Sequence, residues 1–348
     1  MKPSCLFIGL GGAGQRHLRL FKTYFGNNFD FLAFRKKSST PLLNADFSVN
    51  KSKSLETHYN LKLFNNLDDA LNEKPTYVVI CTPTSHHISY AIQAAKAGAH
   101  ILLEKPFSHN LEGFDEFKTL ITTQKSHFIL SFQRRFHPFS QKIKSILDQN
   151  KLGKIYQVNI QVSSYVPFWH PYEDFKNLYA CRKDLGGGVL LTECHELDLC
   201  YWFFGMPNSL YCTGKSVANL DVEDTVHLIL NYETFSVNLT LSFMHKHQKR
   251  LLSFSGELGA ISCDFVNPCL DVTYFDCSKS SFKDTAIVSN DEPFISQLDF
   301  FMNSFSVNDS THYLNTAQAT MNLILAAQKS LTNQNVYYFN SQGVHKHD

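Results

Sequence analysis

The sequence predicts an α/β protein, in which a doubly wound parallel sheet at the N-terminus precedes an α+β domain with a large, mainly antiparallel sheet. Two observations support this prediction. Through residues 1–130, short apolar runs alternate with amphipathic helical segments, which is typical of a parallel sheet. After about residue 150, runs that alternate apolar and polar residues follow one another directly, which indicates antiparallel strands.

The elements of the first region follow from local pattern. The segment "GAGQRHLRLFKTYF" places Leu18, Phe21 and Phe25 on one helical face, and "TYVVICT" is typical of a buried strand. Residues 36–60 are rich in Ser, Asn and Lys with weak periodicity, so we predict no regular element there. The predicted strands are 4–10, 30–34, 61–64, 76–82, 100–105 and 127–132, and the predicted helices are 12–25, 66–73, 85–99 and 110–124.

The second region is predicted to be rich in strands. Its strands are expected at 153–165, 224–232, 235–244, 249–257, 259–265 and 270–277, and its helices at 189–205, 293–305 and 315–330. We place the domain boundary between residues 125 and 126. Domain 1–125 is then the candidate nucleotide-binding domain, and domain 126–348 is the candidate domain for substrate binding and oligomerisation.

Composition excludes several functional classes. The chain has 348 residues and a net charge of +1, so no strong field favours nucleic acid or an anionic membrane. Its nine cysteines include no Cys-x-x-Cys pair, which favours reduced thiols over a disulfide framework. The apolar run at the N-terminus is too short for a signal peptide, and no stretch is long enough to span a membrane. We therefore expect a cytoplasmic protein.

A glycine motif follows the first strand. In "GLGGAG", Gly9, Gly11 and Gly14 form a G-x-G-x-x-G between a predicted strand and a predicted helix. Such glycines permit a tight turn and let a diphosphate approach the N-terminus of the helix. An ordinary glycine-rich turn is the alternative, but the strand–turn–helix context favours dinucleotide binding.

The end of the second strand bears on the choice of cofactor. An acid at this position holds the ribose 2′-hydroxyl of NAD, yet "LAFRKKSS" has Arg35, Lys36 and Lys37 there. A guanidinium can pair with a 2′-phosphate and stack on adenine. The pattern therefore favours NADP, with NAD as the alternative cofactor; a solvated basic loop is the plainer interpretation.

Two later strands end with residues suited to ligand binding. "CTPTSHH" leaves one strand through Thr82, Pro83 and Thr84, and the next strand ends in Glu104-Lys105-Pro106. Parallel strands bring their carboxyl ends to one edge of the sheet, where open α/β sheets bind ligands. We therefore expect Lys105 to point into the same crevice as the glycine motif.

These motifs together resemble the Gfo/Idh/MocA oxidoreductases. The resemblance rests on the glycine motif followed by "QRH", on "TPTSHH", "EKP" and "FQRRFHP", and on "DLGGGVLLTECHELDLCYWFFG". It implies a Rossmann domain and an NAD(P)-dependent enzyme that acts on sugars, cyclitols or their derivatives. The segment from residue 165 to 191 is similar to a branch associated with surface-polysaccharide and nonulosonate sugars.

The resemblance also implies site residues. Lys105 would lie beside the nicotinamide and the reacting hydroxyl, with Pro106 often on a cis bond, and His195 would act as the acid/base. The cofactor-binding residues implied by the motifs and strand ends are Gly9, Gly11, Gly12, Ala13, Gly14, Arg16, His17, Arg35, Lys36, Thr82, Pro83, Thr84, His87, Glu104 and Lys105.

One position departs from the family pattern. The family commonly has an aspartate three or four residues before the histidine, where this chain has Thr192 and Leu191. On a continuous helix Glu193 would lie ~200° from His195 and face away from it. Thr192 shares the face of His195 but cannot exchange protons near neutral pH. Asp198, one turn later, could orient the imidazole or could be an ordinary polar residue of the helix.

The resemblance implies a sugar-binding pocket. Two arginines in it would suit a carboxylate or phosphate, as in an acidic or nucleotide-linked sugar. His245 and His247 share one face of a predicted strand but have no visible third ligand, so we predict no metal site. The expected substrate-binding residues are Gln133, Arg135, Tyr165, Trp169, His170, Tyr179, Arg182 and His195.

Two functions are consistent with the sequence. The first is an NADP-dependent sugar dehydrogenase or reductase that forms a homodimer or homotetramer. The second is a cofactor- and sugar-binding sensor or scaffold that has lost turnover, a hypothesis prompted by Thr192. Because Lys105 and His195 are both present, the sequence favours the enzyme.

Overall fold

The computed structural model describes residues 2–35, 41–170, 173–275 and 280–339. They form two compact units. The first unit contains the described residues of 1–132 and 294–318, and the second contains those of 133–293 and 319–339. Residues 126–132 and 294–318, which the sequence assigns to the second domain, therefore lie in the first unit. The helices of the described residues include none that is long and apolar enough to cross a membrane.

The first unit contains a six-stranded sheet in the order β5-β2-β1-β6-β7-β8, and every neighbouring pair is parallel. The sheet grows in opposite directions from β1, with β2 on one side and β6 on the other, which creates a switch point at the carboxyl ends of these strands. The strands are β1 Ser4–Ile8, β2 Asp30–Phe34, β5 Lys62–Phe64, β6 Tyr77–Ile80, β7 His100–Glu104 and β8 Phe128–Ser131.

Helices cover this sheet, as the strand–helix alternation predicts. The central strands β1, β6 and β7 are almost completely buried, as is usual for a parallel sheet with helices on both faces. The helices of this part of the chain are α1 Gly12–Phe25, α2 Leu55–Tyr59, α3 Leu67–Asn72, α4 His87–Lys96 and α5 Phe114–Gln124.

A small hairpin and the short helix α2 lie in residues 36–60, for which the sequence predicts no element. Strands β3 Leu42–Leu43 and β4 Val49–Asn50 pair antiparallel. Both strands are two residues long, which explains why no period is visible in the sequence. Leu42 and Leu43 are buried, so this hairpin adds to the core of the first unit.

The later segment of the first unit is held by hydrogen bonds to β8. Ser310 Oγ accepts a hydrogen bond from the backbone N–H of Phe128 at 3.0 Å and donates to the carbonyl of Ser126 at 3.0 Å. The rings of Phe301 and Tyr77 also pack edge to face. The segment includes α9 Glu292–Asp299, one π-helical turn Phe300–Ser304 and the start of α10 Val307–Asn333.

The second unit contains a nine-stranded sheet in the order β16-β15-β14-β13-β9-β12-β11-β10-β17. All neighbouring pairs are antiparallel except β9 and β12, which are parallel. The predicted fold class is therefore confirmed. The strands are β9 Ile155–Tyr165, β10 Ser209–Lys215, β11 Thr225–Asn231, β12 Ser236–Ser242, β13 Met244–Gly256, β14 Gly259–Asp264, β15 Cys269–Tyr274, β16 Phe282–Asp284 and β17 Tyr337–Tyr338.

The two faces of this sheet differ in polarity. One face carries buried apolar residues, with Val158, Leu239 and Phe254 among them, and Phe254 packs on Phe203 of a covering helix. The strands between residues 226 and 275 are rich in aromatic and β-branched residues, and strand alternation turns most of these side chains inward. The outward positions are mainly polar, with an exposed apolar side chain at Ile229. They include Asn159, His227, Asn238, Ser253 and Ser262.

The helix predicted at 189–205 is interrupted. Helix α7 Val189–Thr192 ends at Glu193, and helix α8 His195–Phe204 begins after Cys194. The angular relation between Glu193 and His195 that a continuous helix would give is therefore wrong, because the backbone of Glu193 leaves the helical region at φ −99° and ψ 37°. Helix α6 Pro138–Asp148 also lies in the second unit.

Candidate functional site

The glycine motif packs tightly on one side and is open on the other. A Cβ on Gly9 would lie 2.7 Å from the carbonyl oxygen of Cys81, and a Cβ on Gly14 would lie 2.2 Å from the carbonyl oxygen of Gly9. A Cβ on Gly11, by contrast, would have no atom within 4 Å. Gly11 also caps α1, so helix N–H groups lie beside this opening. The motif thus has the shape and polarity that suit a diphosphate.

The three residues after the motif have distinct partners within the first unit. Gln15, which the sequence analysis overlooked, donates to the carbonyls of Leu10 and Pro41 and accepts from the N–H of Leu43 at 2.8 Å. The Arg16 guanidinium lies 4.7 Å and 4.8 Å from the ring centres of two phenylalanines, Phe47 and Phe294. Cation–π contact therefore holds Arg16 against the hairpin turn.

His17 and Glu104 form a buried pair behind the glycine motif. His17 Nε2 lies 2.6 Å from Glu104 Oε1, and Ser131 Oγ donates to the same oxygen at 3.2 Å. Burial would raise the pKa of Glu104, but the His17 and Ser131 hydrogen bonds and nearby positive charge hold it below its usual value. Glu104 is therefore ionised at neutral pH and joins the helix α1 to the ends of β7 and β8.

The ends of β6 and β7 are joined by His87. Its Nδ1 lies 2.7 Å from the carbonyl oxygen of Pro106, and its Nε2 lies 2.9 Å from that of Thr82. Burial lowers the pKa of His87, so at neutral pH the ring donates one N–H to one of these two carbonyls. The Lys105–Pro106 peptide bond is cis, as the resemblance implies, and Lys105 is half-buried directly after β7.

Arg35 lies at the end of β2, where the sequence places it, but it has an acidic partner. Its Nη1 is 2.7 Å from Glu56 Oε1 of α2. The other two cations expected there, Lys36 and Lys37, lie outside the described residues. An acid therefore does reach the end of β2, although it comes from a helix more than twenty residues later in the chain.

In the second unit, His195 begins α8 and is 4% exposed. The side-chain nitrogen of Gln133 lies 3.4 Å from His195 Nε2. Thr192 ends α7 and is also buried. Gln133 was expected in the sugar pocket; here it contacts the imidazole, and its role in substrate binding stays a prediction.

Two buried arginines hold the acids that surround His195 in the sequence. Arg135 donates to both carboxylate oxygens of Asp198, at 2.9 Å and 2.7 Å. Arg250 of β13 lies 2.6 Å from Glu193 Oε2 and 2.6 Å from Glu196 Oε1. Asp198 is therefore held by Arg135 through both of its carboxylate oxygens. Arg250 and Glu196 were not identified from the sequence, because their contact joins distant residues.

A glycine turn precedes α7. Gly188 has φ +107°, and a Cβ there would lie 2.5 Å from Glu223 Oε1. The same oxygen accepts a hydrogen bond from the N–H of Leu190 at 3.1 Å. Burial, with the charge of Asp224 adding to it, raises the pKa of Glu223 to about 7. Glu223 could not be identified from the sequence, because it lies in a loop and belongs to no recognisable motif.

Three of the remaining predicted substrate residues, Tyr165, Trp169 and His170, lie at or just after the end of β9. The Trp169 ring packs edge to face on Phe243, and the Tyr165 ring packs likewise on Phe168. Phe168 is 71% exposed, and it was not among the predicted residues.

Among the predicted substrate residues, His170 and Arg182 have acidic neighbours and Tyr179 is partly buried. His170 Nδ1 lies 2.8 Å from Glu173 Oε1, and Arg182 donates to Asp184 at 3.0 Å. Tyr179 is half-buried. Two of the five expected substrate residues, His170 and Arg182, thus lie against an acidic side chain of the protein.

His245 and His247 lie on β13, as predicted. His245 Nδ1 is 2.6 Å from the carbonyl oxygen of His247. Within the described ranges, no group of three or more His, Cys, Asp or Glu side chains could hold a metal ion.

Comparison with known proteins shows which protein family each half of the chain matches. Residues 4–132 match the oxidoreductase family described as having an NAD-binding Rossmann fold, and residues 140–262 match the GFO/IDH/MocA C-terminal domain. The WlbA dehydrogenase from Bordetella pertussis, solved with NADH and UDP-GlcNAcA, aligns with a TM-score of 0.76 at 18% identity over 98% of this chain and 99% of that one.

Curated relatives align over shorter segments. An uncharacterized oxidoreductase of Synechocystis is 34% identical over 46% of this chain and 41% of its own length. Inositol 2-dehydrogenase of Rhizobium meliloti is 26% identical over 44% of this chain and 46% of its own. The alignments span about half of these relatives. Because both halves of the chain match the two domains of one family, the chain belongs to the Gfo/Idh/MocA oxidoreductases.

Proposed function

We propose that this chain is an NAD(P)-dependent oxidoreductase that moves a hydride between the nicotinamide and a secondary alcohol or ketone of a sugar derivative, with NADP as the preferred cofactor. The observation that carries the proposal is the open glycine motif at Gly11, which lies at the same edge of one parallel sheet as the strand end that bears Lys105, two strands away. Family membership supports the reaction class.

The cofactor would supply the hydride acceptor or donor. In the oxidative direction the carbinol C–H bond breaks, the hydride leaves to the oxidised nicotinamide, and the hydroxyl proton passes to a base. We assign that proton to Lys105 and His195, with Thr192 limited to hydrogen bonding. The buried pair of His17 and Glu104 would fix the strand end from which Lys105 extends.

The substrate we propose is a nucleotide-linked or acidic sugar. The solved WlbA dehydrogenase carries a sugar of this kind, UDP-GlcNAcA. The exposed ring of Phe168 beside Tyr165 offers an aromatic surface suited to the C–H face of a sugar or to a base. Arg182, although paired with Asp184, supplies the cationic group that such a substrate requires.

A screen of purified protein tests this function. Each cofactor, oxidised and reduced, is incubated with panels of nucleotide-linked and unmodified sugars, nicotinamide absorbance is followed, and product masses are measured. The proposal expects NADP(H)-dependent conversion of a sugar derivative with a mass change of two hydrogens. Cofactor binding without conversion of any panel member would instead favour the sensor or scaffold function that Thr192 suggests.

A further inference from the structure

A pocket lies at the carboxyl end of β2. Its volume is about 340 Å³, within the range of small-molecule sites. The pocket is lined by Arg35 at the strand end, by residues of the hairpin β3–β4 and, after the hairpin, by Lys51, Lys53 and residues 54–56. All of these residues belong to the first unit.

The pocket is tied to the glycine motif by hydrogen bonds. The N–H of Gly9 donates to the carbonyl of Phe34, the last residue of β2, at 3.3 Å. Gln15 of α1 binds Pro41 and Leu43, which lead into the hairpin. A dinucleotide whose diphosphate lies against Gly11 would therefore extend its adenosine end toward this pocket, because the two sites are adjacent ends of neighbouring parallel strands.

Of the charged side chains that line the pocket, Arg35 and Glu56 form an ion pair, whereas Lys51 and Lys53 do not take part in it. The Arg35 side chain is 7% exposed and is paired with Glu56, whose carboxylate is 31% exposed. The Glu56 carboxylate stays ionised, because hydrogen bonds from its own backbone N–H and from Ser54, with the charge of Arg35, lower its pKa. Lys51 and Lys53 are exposed and, among the described residues, have no ion-pair partner.

We infer that Lys51 and Lys53 bind the 2′-phosphate of NADP in this pocket, and that Arg35 acts indirectly by neutralising Glu56. This inference rests on the proposed function and revises the direct role that the sequence suggests for Arg35. A guanidinium that is buried and bound to a carboxylate has less to offer a phosphate than two exposed ammonium groups. Glu56 alone would repel a phosphate, so its pairing with Arg35 makes the pocket compatible with NADP.

Paired variants separate the direct role from the indirect one. In Lys51→Gln/Lys53→Gln both cationic groups are removed; in Arg35→Ala/Glu56→Ala the ion pair is removed with no change of net charge. Lys215→Gln/Lys283→Gln removes two exposed lysines from the second unit and controls for overall charge. Dissociation constants for NADPH and NADH are measured by fluorescence titration at one ionic strength, and unfolding curves verify that each variant is folded.

The inference expects the Lys51/Lys53 variant to bind NADPH about tenfold or more weakly, with NADH affinity within about twofold of wild type. The Arg35/Glu56 variant and the control should keep NADPH affinity within about threefold. Glu56→Gln should bind NADPH more tightly than wild type, because it removes a negative charge beside the phosphate.

Two results would overturn it. One is an unchanged ratio of NADPH to NADH affinity in Lys51→Gln/Lys53→Gln. The other is a loss of NADPH affinity in Arg35→Ala/Glu56→Ala as large as in the lysine variant, which would restore the direct role of Arg35. If wild-type protein binds neither cofactor, the proposed function itself fails, so the two failures are distinguishable.

Discussion

Gln15 illustrates how one buried side chain can join elements that are separate in the sequence. Its three hydrogen bonds link Leu10, which follows β1, to Pro41 just before β3 and to Leu43 within β3, so the glycine motif and the hairpin keep a fixed relation. A buried amide that satisfies its donors and acceptor in this way is stable because none of its polar groups is left without a partner. Substitutions of other single side chains should likewise have measurable effects on catalysis or stability.

The first prediction concerns proton transfer. Lys105→Met and His195→Ala should each reduce kcat by about 10²–10⁴-fold, because a well-placed acid/base contributes that much. NADPH affinity should change little, since neither variant alters the glycine motif. Thr192→Ala should have a smaller effect, because a neutral hydrogen bond contributes roughly 0.5–1.5 kcal/mol.

Steady-state kinetics on the substrate from the screen, with a parallel NADPH titration, measure these effects. Full turnover in Lys105→Met would contradict the assignment of that lysine. A large gain of turnover in Thr192→Asp would show that the native site lacks an acid that it can still use, and would favour the sensor function.

The second prediction concerns Glu223 and pH. Its pKa in the folded protein is about 7, above the ordinary value of 4.5, so the folded state holds a proton that the unfolded state has already released. The stability that this proton confers is complete below the unfolded pKa and is lost as pH rises through about 7. Glu223→Gln, which keeps an oxygen for the N–H of Leu190, should therefore gain stability relative to wild type as pH rises.

Urea unfolding at about pH 5 and about pH 8 measures this difference. Glu233→Gln, at an exposed position of the same unit, is the matched control and should follow wild type at both pH values. A Glu223→Gln variant whose stability keeps a constant offset from wild type across this range would contradict the prediction.

At the scale of the element, α8 is held in place by two clusters of buried charge. Arg135 binds its Asp198, and Arg250 on the sheet binds Glu196 within the helix and Glu193 just before it. Each arginine therefore fixes a different turn of the segment that carries His195. Helical period alone suggested one helix from 189 to 205; the interruption at Glu193 and Cys194 could not be anticipated, because the contact with Arg250 is tertiary.

The third prediction tests the Arg250 contact. Arg250→Met should lower the free energy of unfolding by roughly 3–5 kcal/mol, because it leaves buried carboxylates without their counter-charge. Lys249→Met on the same strand, at a half-buried position, should change stability by about 0.5 kcal/mol or less. Chemical denaturation of both variants measures the difference, and a loss of under about 1 kcal/mol in Arg250→Met would contradict a stabilising role.

At the scale of the whole molecule, local patterns predicted more than long-range contacts did. Alternation of period two and of period 3.6 identified both sheets and most helices, and the glycine motif identified the first strand–helix turn. The parallel pairing of β9 with β12 was not predictable, because these strands are separated by about seventy residues that contain other elements. Residues 294–318 were assigned to the wrong side of the boundary for the same reason: bonds such as Ser310 to Phe128 have no local signature.

Some residues of the candidate site were predicted and others were missed, because the sequence shows motifs but not tertiary contacts. Arg35 was read as a cation at the end of β2 without an acidic neighbour, because Glu56 reaches it only through the fold. Lys105 and His195 were identified because motifs mark them in the sequence. Glu223 and Arg250 lie in no motif and were identified only from their burial and hydrogen bonds in the structure.

The last prediction is that the protein self-associates through the outer face of the nine-stranded sheet, as its family resemblance implies. The face is mainly polar, with Ile229 43% exposed and Tyr156 55% exposed. Polar composition is compatible with association, because interfaces are on average about as apolar as the rest of a protein surface. Asn238 lies at an outward position of β12, where it donates to Asn159 of β9 at 3.0 Å.

Light scattering at micromolar concentration should give a mass that is a multiple of 39.7 kDa. Asn238→Arg should reduce it to that of one chain, because a charge buried at an interface without a partner costs several kcal/mol, roughly the stability of a moderate contact. Thr122→Arg, at an exposed position of α5 in the first unit, should leave the mass unchanged. A wild-type mass of one chain would refute self-association, and an assembly that survives Asn238→Arg would place the contact on another surface.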